Sequence, residues 1–440
     1  MLWQPSLPEP YLKMTPDELS ARITARRREL GDSLVILGHH YQTDEIVRHA
    51  DHTGDSLKLS QIAADLAKSR PADRLVKYVV FCGVHFMAET ADMLTPDDTA
   101  VILPDLSAGC SMADMAQYDD TSDAWDAIHE SLKDQGWRGR IVPVTYVNSS
   151  AAIKAFVGAH GGACCTSSNA KAVFDWAMRG GEVSVPHDRP RSKEDIKVLF
   201  LPDQHLGRNT AAAAGIDVAH HAALYDPRLT RKGQALGGAT PEGLLDARVI
   251  LWAGHCSVHK LFRPEHCEQV RAQNFSEPQL APTKILVHPE CAKEVVDKAD
   301  LAGSTEFIIQ TINAAAAGSR WAIGTEVHLV NRLAESAKSR GVSVRILSDC
   351  QCLCTTMFRI DQPHVLWVLD NLAGQYTKDG RAKVVNQVRV HAQVREQALL
   401  AVDRMLALSK LANSSSGSGR SILKSAAATT ATDAVAVAVD

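Results

Sequence analysis

Three cysteines in this 440-residue chain close stretches that read alike: VILPDLSAGC to Cys110, VILWAGHC to Cys256 and VRILSDCQCLC to Cys354. Thiolates drawn from three distant places make an incomplete tetrahedral set. A structural zinc site usually takes four protein ligands from paired knuckles. A [4Fe–4S] cluster held by three thiolates instead keeps one iron open for a substrate. The segment Cys350-Gln351-Cys352-Leu353-Cys354 is either a soft-metal clip in itself or the source of one ligand with two spare thiols. The second reading is preferred, since three close thiols cannot all bind one iron of a cubane. The same thiols could form a reversible disulfide. Cys82 and Cys291 read as small buried hydrophobes, and Cys164-Cys165 as strand-end packing.

Polar pairs at i and i+2 offer acid–base chemistry: His39 and Tyr41, Tyr146 and Asn148, His288 and Glu290. In an extended chain that spacing sends both side chains to one face, and burial can tune such groups towards neutrality. A lone histidine at a strand end is usually a satisfied structural residue; the recurrence argues for more. Some fifteen to twenty residues after each pair comes a small polar cluster, Gly54-Asp55-Ser56, Thr166-Ser167-Ser168 or Gly303-Ser304-Thr305. Such residues ordinarily cap helices, but a helix N-terminus also holds phosphate or carboxylate. His85, His205 and His328 recur in matching places without an evident role.

The elements that must position these groups are short β-branched runs separated by alanine-rich helical stretches, the pattern of parallel α/β architecture. Nine strands are expected: Leu34–Gly38, Tyr78–Cys82, Val101–Leu103, Ile141–Thr145, Val198–Leu201, Val249–Trp252, Ile285–Val287, Trp321–Gly324 and Val344–Leu347. In threes, the first ends in a polar pair and the third runs into a cysteine, a repeat without obvious sequence identity. Ligands of open α/β sheets sit beyond the carboxyl ends of the strands, where these residues lie. The expected fold is therefore α/β, with three similar three-layer αβα domains of short parallel sheets turned towards one centre. The expected boundaries are 1–24 for an N-terminal extension, 25–120, 121–265 and 266–375 for the domains, 376–411 for a C-terminal helical segment and 412–440 for a disordered tail. Asp119 to Trp137 reads as an inserted acidic helix and 224–245 as a loop insertion.

The bulk numbers exclude some classes. With 47 basic against 51 acidic residues and a net charge of −4, there is no general electrostatic grip on nucleic acid. Apolar runs fall short of a membrane span, and Pro5, Pro8, Pro10 and Asp17 interrupt any signal-like stretch. A cytoplasmic setting is expected, where ten cysteines do not form a disulfide framework.

The chain resembles the quinolinate synthase family, iron–sulfur enzymes of NAD biosynthesis. The resemblance rests on LGHHYQTDEI with GDSLKLS, GVHFMAETADML, VILPDLSAGCSMAD, PVTYVNSSAAIKA with CCTSSNA, FLPDQHLGRN, WAGHCSVH, VHPEC, GSTEFII and TEVHLVNRL, in the family's order from about residue 30 to about residue 375. It implies pseudo-threefold symmetry around a central [4Fe–4S] cluster held by Cys110, Cys256 and Cys354. In CTTMFRID, Thr355, Phe358 and Asp361 depart from the family's usual C-P-x-M-K-x-N, which makes Cys354 the ligand least fixed by the motif. The implied reaction condenses iminoaspartate with dihydroxyacetone phosphate, losing phosphate and two waters to give quinolinate, with the open iron as Lewis acid. His39, Ser56, Tyr146, Asn148, Ser167, His288, Glu290 and Thr305 would bind substrate. Catalysis would fall to Tyr41, Glu290 and His288, with Glu290 as base and Tyr41 as acid or base in ring closure. His259 would lie near the cluster. Functional coupling to an aspartate-oxidising enzyme also follows from the resemblance. Competing readings from the residues alone are another three-cysteine hydro-lyase, a cluster-based redox sensor and a zinc-bound structural protein. A sensor would need an output surface such as a basic recognition helix, and none is evident.

Overall fold

The computed structural model describes residues 4, 6–68, 76–181, 195–349 and 352–415. It contains three sheets, each built around strands that are nearly continuous apolar runs, as expected where helices cover both faces. The first sheet holds β1 (Leu34–His39), β2 (His52–Gly54), β3 (Tyr78–Cys82) and β4 (Ala100–Ile102). The second holds β5 (Arg140–Tyr146), β6 (Ala163–Cys165), β7 (Ile196–Leu201), β8 (Ala222–Tyr225) and β9 (Val249–Trp252). The third holds β10 (Thr283–Val287), β11 (Leu301–Ala302), β12 (Arg320–Gly324) and β13 (Ser343–Ile346). Last in the chain, β14 (Gln387–Val388) returns to pair antiparallel with β4. The other pairings in all three sheets are parallel.

The sheets share a strand order. Each places its first strand (β1, β5, β10) between a short second strand (β2, β6, β11) and a longer third, with a fourth beyond; the second sheet adds β8 outside β9. This is a doubly wound order whose switch point lies beside the first strand, so its carboxyl end opens onto a crevice. Helices follow the short strands (Ser56–Lys68, Ala170–Met178, Thr305–Asn313) and the longer ones (His85–Leu94, Gln204–Ala213, Val327–Lys338).

All nine expected strands are present; Tyr78–Cys82 and Val249–Trp252 have the expected bounds and the other seven differ by a residue or two at their ends. The added β2, β6, β8, β11 and β14 are two to four residues long, too short for a periodicity to show. The reading of 224–245 as a loop requires correction. Tyr225 ends β8, and the helices Pro227–Thr230 and Pro241–Asp246 follow, each with proline at its first turn and a capping Asp226 or Thr240. The acidic insertion is the helix Tyr118–Asp134.

Two terminal helices strap the units together. The helix Ala392–Ser415, which runs past the expected end at 411, packs on Ala151–Ala159. The approach is close because Gly158 carries no side chain: a Cβ there would stand 2.0 Å from Gln397 O. Arg404 then reaches Gly162 O at 2.6 Å. At the other end, Pro16–Leu30 lies on Gln362–Leu372, where buried Asp370 receives Arg22 at 3.1 Å, Arg26 at 2.6 Å and the Tyr11 hydroxyl at 2.7 Å. No helix among the described residues is long and apolar enough to cross a membrane. Residues 416–440 of the expected tail, and Cys350 with any disulfide it would make, lie outside the described residues.

Candidate active site

One cavity collects groups from all three sheets. The first contributes His39, Tyr41, Ser56 and Cys110; the second Tyr146, Asn148, Ser167, Cys256 and His259; the third His288, Glu290, Thr305 and Cys354. Every site residue expected from the sequence thus lines a single space. The strand ends account for this: the polar pairs sit on or just past β1, β5 and β10, and the cysteines follow β4, β9 and β13.

The small polar clusters divide their work. Asp55 caps Ser56–Lys68 by accepting Lys58 N at 2.9 Å, and Ser304 caps Thr305–Asn313 by accepting Phe307 N at 3.3 Å. Ser56 and Thr305, the first residues inside those helices, are thereby released from capping and line the cavity. In the second unit Thr166-Ser167-Ser168 forms the turn before the helix, closed by Asn169 Oδ1 on Thr166 N at 2.6 Å.

The two histidine pairs share a local geometry. His39 Nδ1 accepts Tyr41 N at 3.1 Å, and His288 Nδ1 accepts Glu290 N at 3.3 Å. A backbone N–H only donates, so each neutral ring carries its hydrogen on Nε2. Neutrality is enforced by burial. Desolvation, helped by the charge of His40, brings His39 down to about 3. Desolvation and neighbouring His259 bring His288 to about 3.

Glu290 is the buried acid of the site. Burial works to raise its pKa, but the adjacent His259 and His288 and the phenol of Tyr146 prevail, holding the carboxyl at about 2. His288 is itself neutral near pH 7, so the Tyr146 hydrogen bond is a physically stronger cause than the His288 charge. His259 stacks on His288 with ring centroids 4.5 Å apart. Its Nδ1 stands 2.7 Å from Glu290 Oε2 without hydrogen-bond alignment. Tyr41 bonds Thr305 at 3.1 Å and Thr325 at 3.0 Å. Burial and the Glu290 charge push the Tyr41 phenol well above its usual value. Tyr146 is raised by the same two causes.

The three cavity cysteines are desolvated thiols within electrostatic reach of one another. Burial pushes Cys110 up to about 12, with Cys354 adding to the rise. Cys256 is raised by burial and by Glu290, Cys354 and Cys110. Three thiols that are costly to ionise alone are those that a multivalent cation would hold as thiolates. Cys352 is fully buried, its Sγ 3.1 Å from the Ser348 hydroxyl, while Cys354 faces the cavity. Cys256, His259 and Glu290 also bring ligand atoms within 4.8 Å of one another.

Sequence reasoning missed Thr325 and Asp203. Both lie past the end of the second long strand of their units, at β12 and β7. Asp203 Oδ1 caps its helix through His205 N and Leu206 N at 2.7 and 2.8 Å. Its carboxyl is raised well above the usual range by burial and by Glu290. The available signal was the alignment of TEVH with PDQH, in which the histidines alone drew notice. Those histidines, with His85, stand near helix starts outside the cavity lining.

Comparison with known proteins agrees with this arrangement. The family model described as Quinolinate synthetase A protein matches residues 21–407. A quinolinate synthase of Acidobacterium capsulatum is 49% identical over 397 residues, covering 90% of this chain and 94% of the relative. Those of Herpetosiphon aurantiacus and Anoxybacillus flavithermus are each 47% identical, over 90% and 91% of this chain and 94% and 96% of their own lengths. A chain matched from end to end of its three-sheet body, with the site described above, belongs to the quinolinate synthase family.

Proposed function

We propose that this chain makes quinolinate from iminoaspartate and dihydroxyacetone phosphate, releasing phosphate and two waters. The observation that carries the reading is the convergence of three cysteines, one from each sheet, on the same cavity as Glu290, Tyr41 and the histidine pairs. Cys110, Cys256 and Cys354 would hold a [4Fe–4S] cluster. Three thiols without a fourth fit a cluster with one open iron better than a closed structural zinc site. When bound, the cluster supplies Lewis acidity at that open iron.

The chain's own residues supply the rest. Glu290 stays ionised beside His259 and acts as base for the carbon proton. Tyr41, a phenol kept protonated by burial, gives and retrieves a proton during dehydration and ring closure. His39 and His288 offer Nε2–H donors to carboxylate or phosphate oxygens. Ser56, Ser167 and Thr305 hold anionic groups at their helix starts, while Tyr146 and Asn148 orient the acceptor. We read the three sheets as cores of three domains with boundaries near 25–120, 121–265 and 266–375. The setting is cytoplasmic, where thiols stay reduced. Because an imine hydrolyses readily, an aspartate-oxidising enzyme is the source of iminoaspartate.

The test is an anaerobic assay of iron- and sulfide-checked protein with dihydroxyacetone phosphate and freshly generated iminoaspartate, following quinolinate by mass spectrometry. Product from wild type and none from Cys256→Ala is the expected result. A fully loaded wild type that makes no quinolinate would overturn the reading.

A further inference from the structure

Lys154 is fully buried in the helix Ala151–Ala159, and the chemistry assigned above does not use it. Burying an ammonium is costly unless it is hydrogen-bonded. The side chain runs back towards the helix start, the direction helical side chains take, and Nζ donates to Ser149 O. The same nitrogen sits over the ring of Phe86, 5.4 Å from its centroid. Phe86 lines the cavity. Three residues further along the same helix of the first unit, Glu89 Oε2 accepts Ala151 N at 2.9 Å. Residues three apart share a helix face, so one face of His85–Leu94 meets the start of Ala151–Ala159 at both points.

These contacts bracket the turn that carries Asn148. Val147 N donates to Cys165 O at 2.8 Å, which ties the start of the turn to β6. Its end is held by Lys154 at the Ser149 carbonyl and by Glu89 at the Ala151 N–H. Ser150 lies between them and caps the helix by accepting Ile153 N at 3.3 Å. Asn148 Oδ1 is buried at the cavity wall and meets no hydrogen-bond partner among the described residues. The Asn148 side chain is therefore aimed by its backbone and not by a bond at that oxygen.

We propose that Lys154 and Glu89 are positioning residues for substrate binding, clamping the turn 147–151 so that the Asn148 amide faces the cavity with its oxygen free. The proposal rests on the reading of Asn148 as a substrate-binding residue. As an ammonium and a carboxylate the pair makes charge-assisted bonds, stronger than those between neutral groups. Both come from outside the turn, and Glu89 comes from another unit, so the second unit's binding group is set by the first unit's helix.

Lys154→Met keeps the apolar stem and removes the donor. Glu89→Leu removes the acceptor, whereas Glu89→Gln keeps an oxygen in its place. Lys154→Met and Glu89→Leu should each raise KM for at least one substrate by roughly 10-fold with kcat little changed, the mark of lost uniform binding. Glu89→Gln should retain the wild-type KM. Asn148→Ala should raise the same KM, and adding Lys154→Met to it should raise KM no further, because the lysine acts through the asparagine. Iron and sulfide should match wild type throughout. Wild-type KM in Lys154→Met and Glu89→Leu, losses that multiply with that of Asn148→Ala, or a loss explained by missing cluster would each overturn the proposal. Crystal structures of wild type and the two variants separate this from the functional reading. A turn 147–151 that stays in place in both variants sinks the proposal whatever is made, whereas a loaded wild type without quinolinate sinks only the reaction assigned.

Discussion

Glu290 and Tyr41 sit in one buried array yet are tuned in opposite directions. The carboxyl is held at about 2 and the phenol far above its usual value, so near pH 7 the first is ionised and the second protonated, the states from which a base and an acid must start. Glu290→Gln removes the base without changing shape and should lower kcat by roughly 100-fold or more. Tyr41→Phe should lose a similar factor, and full turnover in either variant would remove that residue's role. A pH effect on stability follows from His39 and His288, neutral in the fold down to about 3 against 6.5 when exposed. Below pH 6.5 the unfolded chain binds protons that the folded chain refuses, so stability falls as pH falls. Each ring contributes about 1.4 kcal/mol per pH unit in that window, and Glu290 adds a loss in the same direction below 4.5. Urea midpoints of the cluster-free protein at pH 7 and pH 5 measure this; equal midpoints would contradict neutral rings. At this scale the site was legible where a residue type is scarce and repeated. Three cysteines and two His-x-acid or His-x-phenol pairs stand out from the chain. Thr325 did not, because threonine is common and its contact with Tyr41 joins residues far apart in sequence.

Among the elements, long apolar strands could be read because burial on both faces leaves a continuous signature, as in LVILGH and IKVLFL. Edge strands could not: β8 alternates exposed and buried residues over four positions, and β14 has two residues after a polar loop. Nor could helix contacts be read, and Gly158 shows their weight. Alanine in a helix interior is favoured over glycine by about 1 kcal/mol, which alone would make Gly158→Ala stabilising. The new Cβ, however, would lie 2.0 Å from Gln397 O, and backbone cannot yield as a flexible side chain does. The clash wins, and Gly158→Ala should destabilise by about 1–3 kcal/mol, read as a lower urea midpoint. A gain in stability would mean that the C-terminal helix is free to shift.

For the whole molecule, the cavity is the place where the three sheets meet through their cysteines. A group bound to all three thiols stabilises their mutual arrangement by mass action. Chelating the iron, or changing any one of Cys110, Cys256 and Cys354 to alanine, should therefore lower the melting midpoint by similar amounts. Anaerobic calorimetry with parallel iron analysis reads this, and a variant that keeps both cluster and midpoint would lose its place in the ligand set. The pseudo-symmetry that predicts equal effects was visible in the repeating endings of the sequence. The manner in which terminal helices strap the units was not, since Pro16–Leu30 and Gln362–Leu372 meet through apolar residues and through Asp370 with its arginines, partners that lie at opposite ends of the chain.

The antiparallel strand β14 carries a consequence for biosynthesis. Val101 and Ile102 find their partners Val388 and Gln387 only after nearly the whole chain has been made. Until then the edge of β4 presents unpaired N–H and C=O groups, the template for joining another molecule. At about 5–20 residues per second, the ribosome leaves that edge open for on the order of tens of seconds. Asn386, Val390 and Arg395 then lock the late strand to Pro104, Asp92 and Thr95. Nascent chains stopped before Gln387 should thus enter aggregates while the complete chain stays in solution. The first sheet to leave the ribosome is the last to be finished.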